Sequence, residues 1–163
     1  MKLRMKKVMA VILVCSLCVP FVMKQEKAVA AKGYFFKNAG VSVTMGSKAK
    51  KFIKKAGKAA KTTKKKSCAF KGLDRIRFYD SFILYTYSNS KTGPEFVNGI
   101  TFRNASAYTK EGIHIGSTEA EMKEAYGNKN PNLAGVYTYV KGKTKLQIQV
   151  VSGKVSLLRY IMK

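Results

Sequence analysis

The same short unit occurs twice in this chain, seventy residues apart, and its two copies carry opposite charge. Met45-Gly46-Ser47 opens a helical pattern that stops at Gly57, and Ile115-Gly116-Ser117 opens another that stops at Gly127. Either unit alone is too small to bury much apolar surface, so the two are expected to share one core. Val43-Thr44-Met45 and Ile113-His114-Ile115 alternate as short extended entries. Ser47 and Ser117 stand where an N-cap hydroxyl would accept from free backbone N–H groups. Gly57 and Gly127 suit the left-handed conformation that closes a helix. In the first copy Ala49, Phe52, Ile53, Ala56 and Ala60 fall within an arc of roughly 120° on a helical wheel. In the second, Met122, Ala125 and Tyr126 form a shorter apolar face.

Strand-like segments rich in β-branched and aromatic residues follow each helix. The first set is Arg75–Tyr79, Phe82–Tyr87 and Phe96–Phe102; the second is Val136–Val140, Leu146–Val151 and Val155–Ile161. Asp80-Ser81, Ser88-Asn89-Ser90, Gly93-Pro94, Lys141-Gly142-Lys143 and Ser152-Gly153-Lys154 supply the turns between them. The expected fold class is α+β, with two tandem αβββ units at about 34–104 and 105–163. Side by side these would form an antiparallel sheet with both helices packed on one face and the other face open.

Residues 1–31 read as an export signal, which leaves 32–163 as a single domain. Lys2, Arg4, Lys6 and Lys7 precede sixteen uncharged, mostly apolar residues, Val8 to Met23, and Ala28-Val29-Ala30 has the small-x-small cleavage pattern. The apolar run is shorter than the ~20 residues that span a bilayer, and the segment is either cleaved or retained as an anchor. Val14 and Leu17, before Cys15 and Cys18, are too large for a lipobox. Only Cys68 remains beyond the signal, so no disulfide forms within the domain, and the residue is expected to pack as a small buried hydrophobe.

Ser67-Cys68-Ala69-Phe70-Lys71-Gly72-Leu73-Asp74, the Phe82–Tyr87 segment, and Thr109 to Thr118 continuing to Ala125-Tyr126-Gly127 resemble an uncharacterised family of exported proteins and lipoproteins of Gram-positive bacteria. The resemblance covers roughly Tyr34 to Lys163. The tandem helix-plus-sheet pattern is also similar to beta-lactamase inhibitory protein and to SmpA/OmlA-type lipoproteins. Those folds act by binding proteins, and the resemblance implies a non-enzymatic role.

The chain has 32 basic and 8 acidic residues; six basic and one acidic fall in the signal, leaving about +19 on the domain. No acid occurs between Glu26 and Asp74. Ten lysines fill the nineteen residues from 48 to 66: Lys48, Lys50, Lys51, Lys54, Lys55, Lys58, Lys61, Lys64, Lys65 and Lys66. Lys50/Lys54, Lys51/Lys55 and Lys54/Lys58 are like-charge pairs at helical spacing, each costing ~0.2–0.5 kcal/mol. Solvated faces usually mix both signs, so a one-sided lysine surface points to an anionic partner. The expected partners are an anionic cell-wall polymer or a membrane surface, with a protein as the alternative. Nucleic acid is disfavoured by export and by the absence of a reading motif.

Tyr85 and Tyr87 share one face of their strand, as do Tyr137 and Tyr139. If those faces coincide on the open side of the sheet, the four rings form a platform for a protein partner. No catalytic, cofactor or metal signature accompanies them. His114 is the only histidine, and Gly112-x-x-x-Gly116 lacks the lysine of a phosphate loop. The reading is therefore a secreted, envelope-associated binding protein.

Overall fold

The computed structural model describes residues 33–68 and 71–163, so the expected export signal lies outside the described residues. The fold is mostly β. A hairpin of β1 (Phe35–Asn38) and β2 (Val41–Thr44) leads to the seven-residue helix α1 (Lys50–Ala56). Four strands follow: β3 (Lys61–Lys66), β4 (Leu73–Phe78), β5 (Phe82–Ser88) and β6 (Glu95–Phe102). After α2 (Glu119–Tyr126) come β7 (Val136–Lys141), β8 (Thr144–Val151) and β9 (Lys154–Met162). The large sheet is antiparallel, in the order β3-β4-β5-β6-β9-β8-β7. Its two halves meet along β6 and β9, where Gly99, Ile100 and Thr101 pair with Ile161, Tyr160 and Arg159.

Strand register explains where the core sits. A single row crosses the sheet through Thr62, Arg77, Leu84, Ile100, Tyr160, Leu146 and Tyr139. From Leu84 to Tyr139 every member of that row is buried. Both helices and the β1–β2 hairpin cover this side. Phe36 from the hairpin meets Phe52 of α1, Phe82 of β5 and Phe102 of β6, with ring centroids 5.1–5.9 Å apart. Met122 of α2 sits against the Tyr139 hydroxyl. On the opposite side Ile76, Ile83, Tyr85, Tyr87, Phe96 and Ile161 are half-exposed.

Each helix is fastened to the sheet just before it begins. Gly46 N–H donates to Val97 O (2.7 Å), Val97 N–H to Ser47 O (2.9 Å) and Ala49 N–H to Glu95 O (2.8 Å). Before α2, Gly116 N–H donates to Val155 O (2.8 Å), Val155 N–H to Ser117 O (2.8 Å) and Glu119 N–H to Gly153 O (2.9 Å). Gly46 and Gly116 turn the chain with φ of 79° and 99°, a region that disfavours side chains.

Four expectations about local structure need correction. Before residue 104 the strand content exceeds the expected three, because Lys61–Lys66 pairs with β4 as a sheet edge and a two-stranded hairpin precedes α1, whereas the three strands expected after α2 are present. The Ile113–Ile115 segment contributes only an isolated bridge, from His114 to Tyr108. Ser47 does not cap α1: its hydroxyl donates back to Thr44 O at 2.7 Å, its backbone pairs with Val97, and the cap position falls on Ala49, with no side-chain bond. Ser117 likewise accepts from His114 N–H, leaving Thr118 to cap α2 in a reciprocal box with Glu121. Gly57 and Gly127 do close the helices with positive φ, although their ψ values are extended rather than left-handed helical.

Phe52 is the main apolar anchor of α1, being 1% exposed and in ring contact with both Phe36 and Phe82. Phe52→Ala should lower unfolding stability by about 3–5 kcal/mol. Urea denaturation checks it, and a loss below ~1 kcal/mol would mean that the ring is not holding the helix to the sheet.

Candidate functional site

All ten predicted lysines are exposed, and none is in an ion pair among the described residues. They do not form one face. Lys50, Lys51, Lys54 and Lys55 lie on α1, with Lys48 just before it and Lys58 just after. Lys61, Lys64, Lys65 and Lys66 belong to β3. The register places Lys64 and Lys66 on the helix-covered side, opposite Arg75 and Leu73, whereas Lys61 and Lys65 oppose Phe78 and Asp74 on the open side. Lys58 is outside the helix, so only two of the three like-charge helical pairs exist. The repulsion within α1 falls to about 0.4–1 kcal/mol. Lys54 and Lys55 occupy its last turn, where positive charge suits the helix dipole. Part of the β3 lysine content also serves a bland purpose, because charged lysines on an edge strand discourage pairing with another chain.

The tyrosine platform is not assembled. Tyr85 and Tyr87 are half-exposed on the open side, while Tyr137 and Tyr139 are 3% and 2% exposed beneath α2. Tyr137 donates to Glu119 Oε1 at 2.5 Å, and that carboxylate also meets Lys123 Nζ at 2.7 Å. The Tyr139 hydroxyl donates to Gly127 O at 3.0 Å. These bonds give both buried phenols a reason to face the helix. On the open side Tyr85 lies over Gly99, and Tyr87 meets Phe96 at 5.6 Å.

Three charged residues that escaped the sequence reading organise the helix-covered side near β3. Arg77 grips Glu95 with both ends of its guanidinium, Nη1 to Oε2 at 2.7 Å and Nη2 to Oε1 at 3.0 Å. Thr86 Oγ1 donates to the same carboxylate at 2.9 Å. Arg75 approaches it only through Nε, at 3.4 Å. The two arginine side chains are 12% and 13% exposed. Burial opposes ionisation of Glu95, but the hydrogen bonds from Arg77 and Thr86, with the charges of Arg77 and Arg75, outweigh it and hold the carboxyl below its usual 4.5. The signal for this group was the Arg-Ile-Arg alternation at 75–77, which puts both guanidiniums on one face.

Three other acids gather elsewhere. Glu111, Glu121 and Glu124 border an open cleft of about 410 Å³, with Ile113, His114 and Ser117. His114 is half-buried with Nδ1 2.9 Å from Ile115 O, as expected of a residue held by local backbone. Cys68 is exposed beside the β3–β4 connection, contrary to the expected buried packing. Among the described residues no group of His, Cys, Asp and Glu has metal-site geometry, and no helix is long and apolar enough to cross a membrane. No family model matches the chain, and neither does any curated protein or solved structure.

A carboxyl with a depressed folded-state pKa adds stability above its unfolded value and loses it as pH falls through the folded one. The protein should therefore lose stability as the pH drops below about 4.5. Glu95→Gln should lower the midpoint at neutral pH, by leaving two half-buried guanidiniums without a counter-charge, and should flatten that acid dependence. Urea midpoints measured between neutrality and acid pH test this; parallel profiles for the two proteins would contradict it.

Proposed function

We propose that this chain is a secreted, non-enzymatic binding protein of the bacterial cell envelope, which contacts an anionic polymer or membrane surface through its lysine-rich segment. One observation carries the reading: ten exposed lysines within nineteen residues, with no ion pair to any acid among the described residues. The contact surface is best taken as α1 with its flanks, Lys48 to Lys58, joined by Lys64 and Lys66. Lysines are mobile point charges, and a row of them attracts phosphate-rich polymers such as teichoic acids or anionic headgroups in a salt-sensitive way. The apolar side of α1 is occupied by the core, which favours surface contact over insertion.

The tandem origin of the fold and membership of the exported Gram-positive family belong to the same proposal. The matching turn and hydrogen-bond sets at Gly46–Ala49 and Gly116–Glu119 support two related units at about 34–104 and 105–163. Under that reading one unit kept acids on its helix, Glu119, Glu121 and Glu124, while the other became basic. A second function is favoured by the uncovered sheet side. Tyr85 and Tyr87, with Ile83 and Phe96, offer a half-exposed aromatic surface for a protein partner.

Retention on isolated cell walls decides between them. The protein should elute from teichoic-acid-bearing walls in a salt gradient and bind poorly to walls stripped of those polymers. Replacing Lys48, Lys50, Lys51, Lys54 and Lys55 with glutamine should move elution to markedly lower salt. Retention that ignores both salt and the lysines would overturn the polyanion reading. Loss of retention on changing Tyr85 and Tyr87 to serine, with the lysines dispensable, would favour the protein-binding one.

A further inference from the structure

We infer that the free edge of β7 binds a short, extended acidic peptide as an eighth, antiparallel strand of the sheet. This goes beyond the polyanion reading, because it concerns the opposite edge of the sheet and a different class of partner. The two edges are built differently. β3 carries lysine at four of its six positions, on both sides of the sheet, a pattern that discourages pairing with another chain. β7 reads Val-Tyr-Thr-Tyr-Val before its one charge, Lys141, and pairs with β8 without a bulge.

The β7–β8 register shows which backbone groups point outward. Lys141 and Thr144 close a two-residue turn as a hydrogen-bonded pair, so Tyr139 and Tyr137 also bond towards β8. The N–H and C=O groups of Val136, Thr138 and Val140 therefore face away from the sheet. At Val136 both are taken: its N–H donates to Asn132 Oδ1 and its carbonyl accepts from Asn132 N–H, each at 3.0 Å. Asn132 thus stands where a residue of a neighbouring strand would. Thr138 and Val140 have no such partner among the described residues, and the Val140 side chain beside them is 47% exposed. Donors and acceptors alternating along a strand are matched by an extended polypeptide. A phosphodiester backbone offers acceptors only and cannot match them.

The side chains around this edge select the sequence of the peptide. Residues opposite one another in an antiparallel pair share a side of the sheet. On the helix-covered side stand Lys141 and Lys129, whose Nζ lies 5.2 Å from the centroid of the Tyr139 ring. Both lysines are exposed, and neither is in an ion pair among the described residues. Glu119, the acid that reaches β7 on this side, is already held by Tyr137 and Lys123. On the open side are Thr138 and Val140. The matching peptide therefore alternates, with carboxylates towards Lys129 and Lys141 and β-branched side chains towards Thr138 and Val140. A second copy of this chain fits worse. Pairing two β7 strands through Thr138 and Val140 puts Tyr139 at the dyad and brings the two Lys129 side chains together there.

The test uses the full chain and the peptide acetyl-Thr-Val-Glu-Val-Glu-Val-Thr-amide, followed by amide NMR and hydrogen exchange at physiological ionic strength. Binding should be saturable and should slow exchange at the Thr138 and Val140 amides, while Tyr137 and Tyr139, already bonded to β8, change little. In the antiparallel register the valines of the peptide, not its glutamates, turn their N–H groups to β7. N-methylation of the valines should weaken binding by about tenfold, whereas N-methylation of the glutamates should leave it within about twofold. Lys129→Gln combined with Lys141→Gln should weaken it about threefold, as should glutamine in place of both peptide glutamates. Glutamine at Lys50, Lys51, Lys54 and Lys55 should leave peptide affinity within about twofold, because those charges are screened from the far edge. Equal effects of the two N-methylated peptides, no added protection at Thr138 and Val140, or loss of binding in the α1 variant would overturn the inference. So would concentration-dependent protection of those amides without peptide, which would make a second copy the occupant.

Discussion

A seven-residue helix carrying four lysines and no acid cannot hold itself together in water. Isolated helices below ~12–15 residues are marginal even with favourable sequences. What holds α1 is the sheet beneath it. Phe52 is inserted between Phe36 and Phe82, Ala49 is fully buried, and its N–H is bonded to Glu95 O. Burying the phenyl ring is worth about 1.5–3 kcal/mol in transfer terms, which exceeds the like-charge repulsion on the opposite face of the helix. The lysines therefore sit on a support whose stability comes from apolar packing and strand pairing, and their charge can be used without being the thing that holds the fold.

The same dependence runs through the rest of the molecule. The sheet has one covered side, and each element that covers it is too small to be stable alone: a four-residue-strand hairpin and two helices of seven and eight residues. Their shared contact with the row from Leu84 to Tyr139 makes them a single core. Polar anchoring follows the same plan at both ends. Near β3 Arg77 of β4 is paired with Glu95 from β6, which Arg75 also approaches; near β7 the buried Tyr137 is satisfied by Glu119 from α2. In each place a polar group on the covered side is tolerated because a partner from another element meets it.

The parts of the fold legible in the sequence were those with local causes. Gly46 and Gly116 marked turns because only a glycine accepts those positive φ values easily, and Phe82–Ser88 showed as a strand by its aromatic and β-branched content, although only the structure shows its burial alternating between a packed and a half-open side. Lys61–Lys66 was not legible as a strand: Lys-Thr-Thr-Lys-Lys-Lys has no apolar alternation, and only its pairing with β4 makes it extended. For Tyr137 and Tyr139 the period of two was visible, but not which side is buried, since a one-residue shift exchanges the faces. That choice is made by α2, through Glu119 and the end of the helix at Gly127. The Arg75–Arg77–Glu95 group was hidden for a related reason: the two arginines announce themselves by alternation, but their acid lies eighteen and twenty residues away and arrives by β5–β6 pairing.

The molecule has two distinct sides: a helix-covered side with the lysines of α1, Lys64 and Lys66, and an open side where Lys61 and Lys65 accompany the half-exposed Tyr85, Tyr87 and Phe96. The most direct test of which side meets the partner is a backbone amide NMR perturbation map recorded during titration with a glycerol-phosphate polymer. The account predicts shifts concentrated at Lys48 to Lys58 and at Lys64 and Lys66, collapsing as salt is raised. Shifts confined to Ile83, Tyr85, Tyr87 and Phe96, or persisting unchanged at high salt, would contradict it.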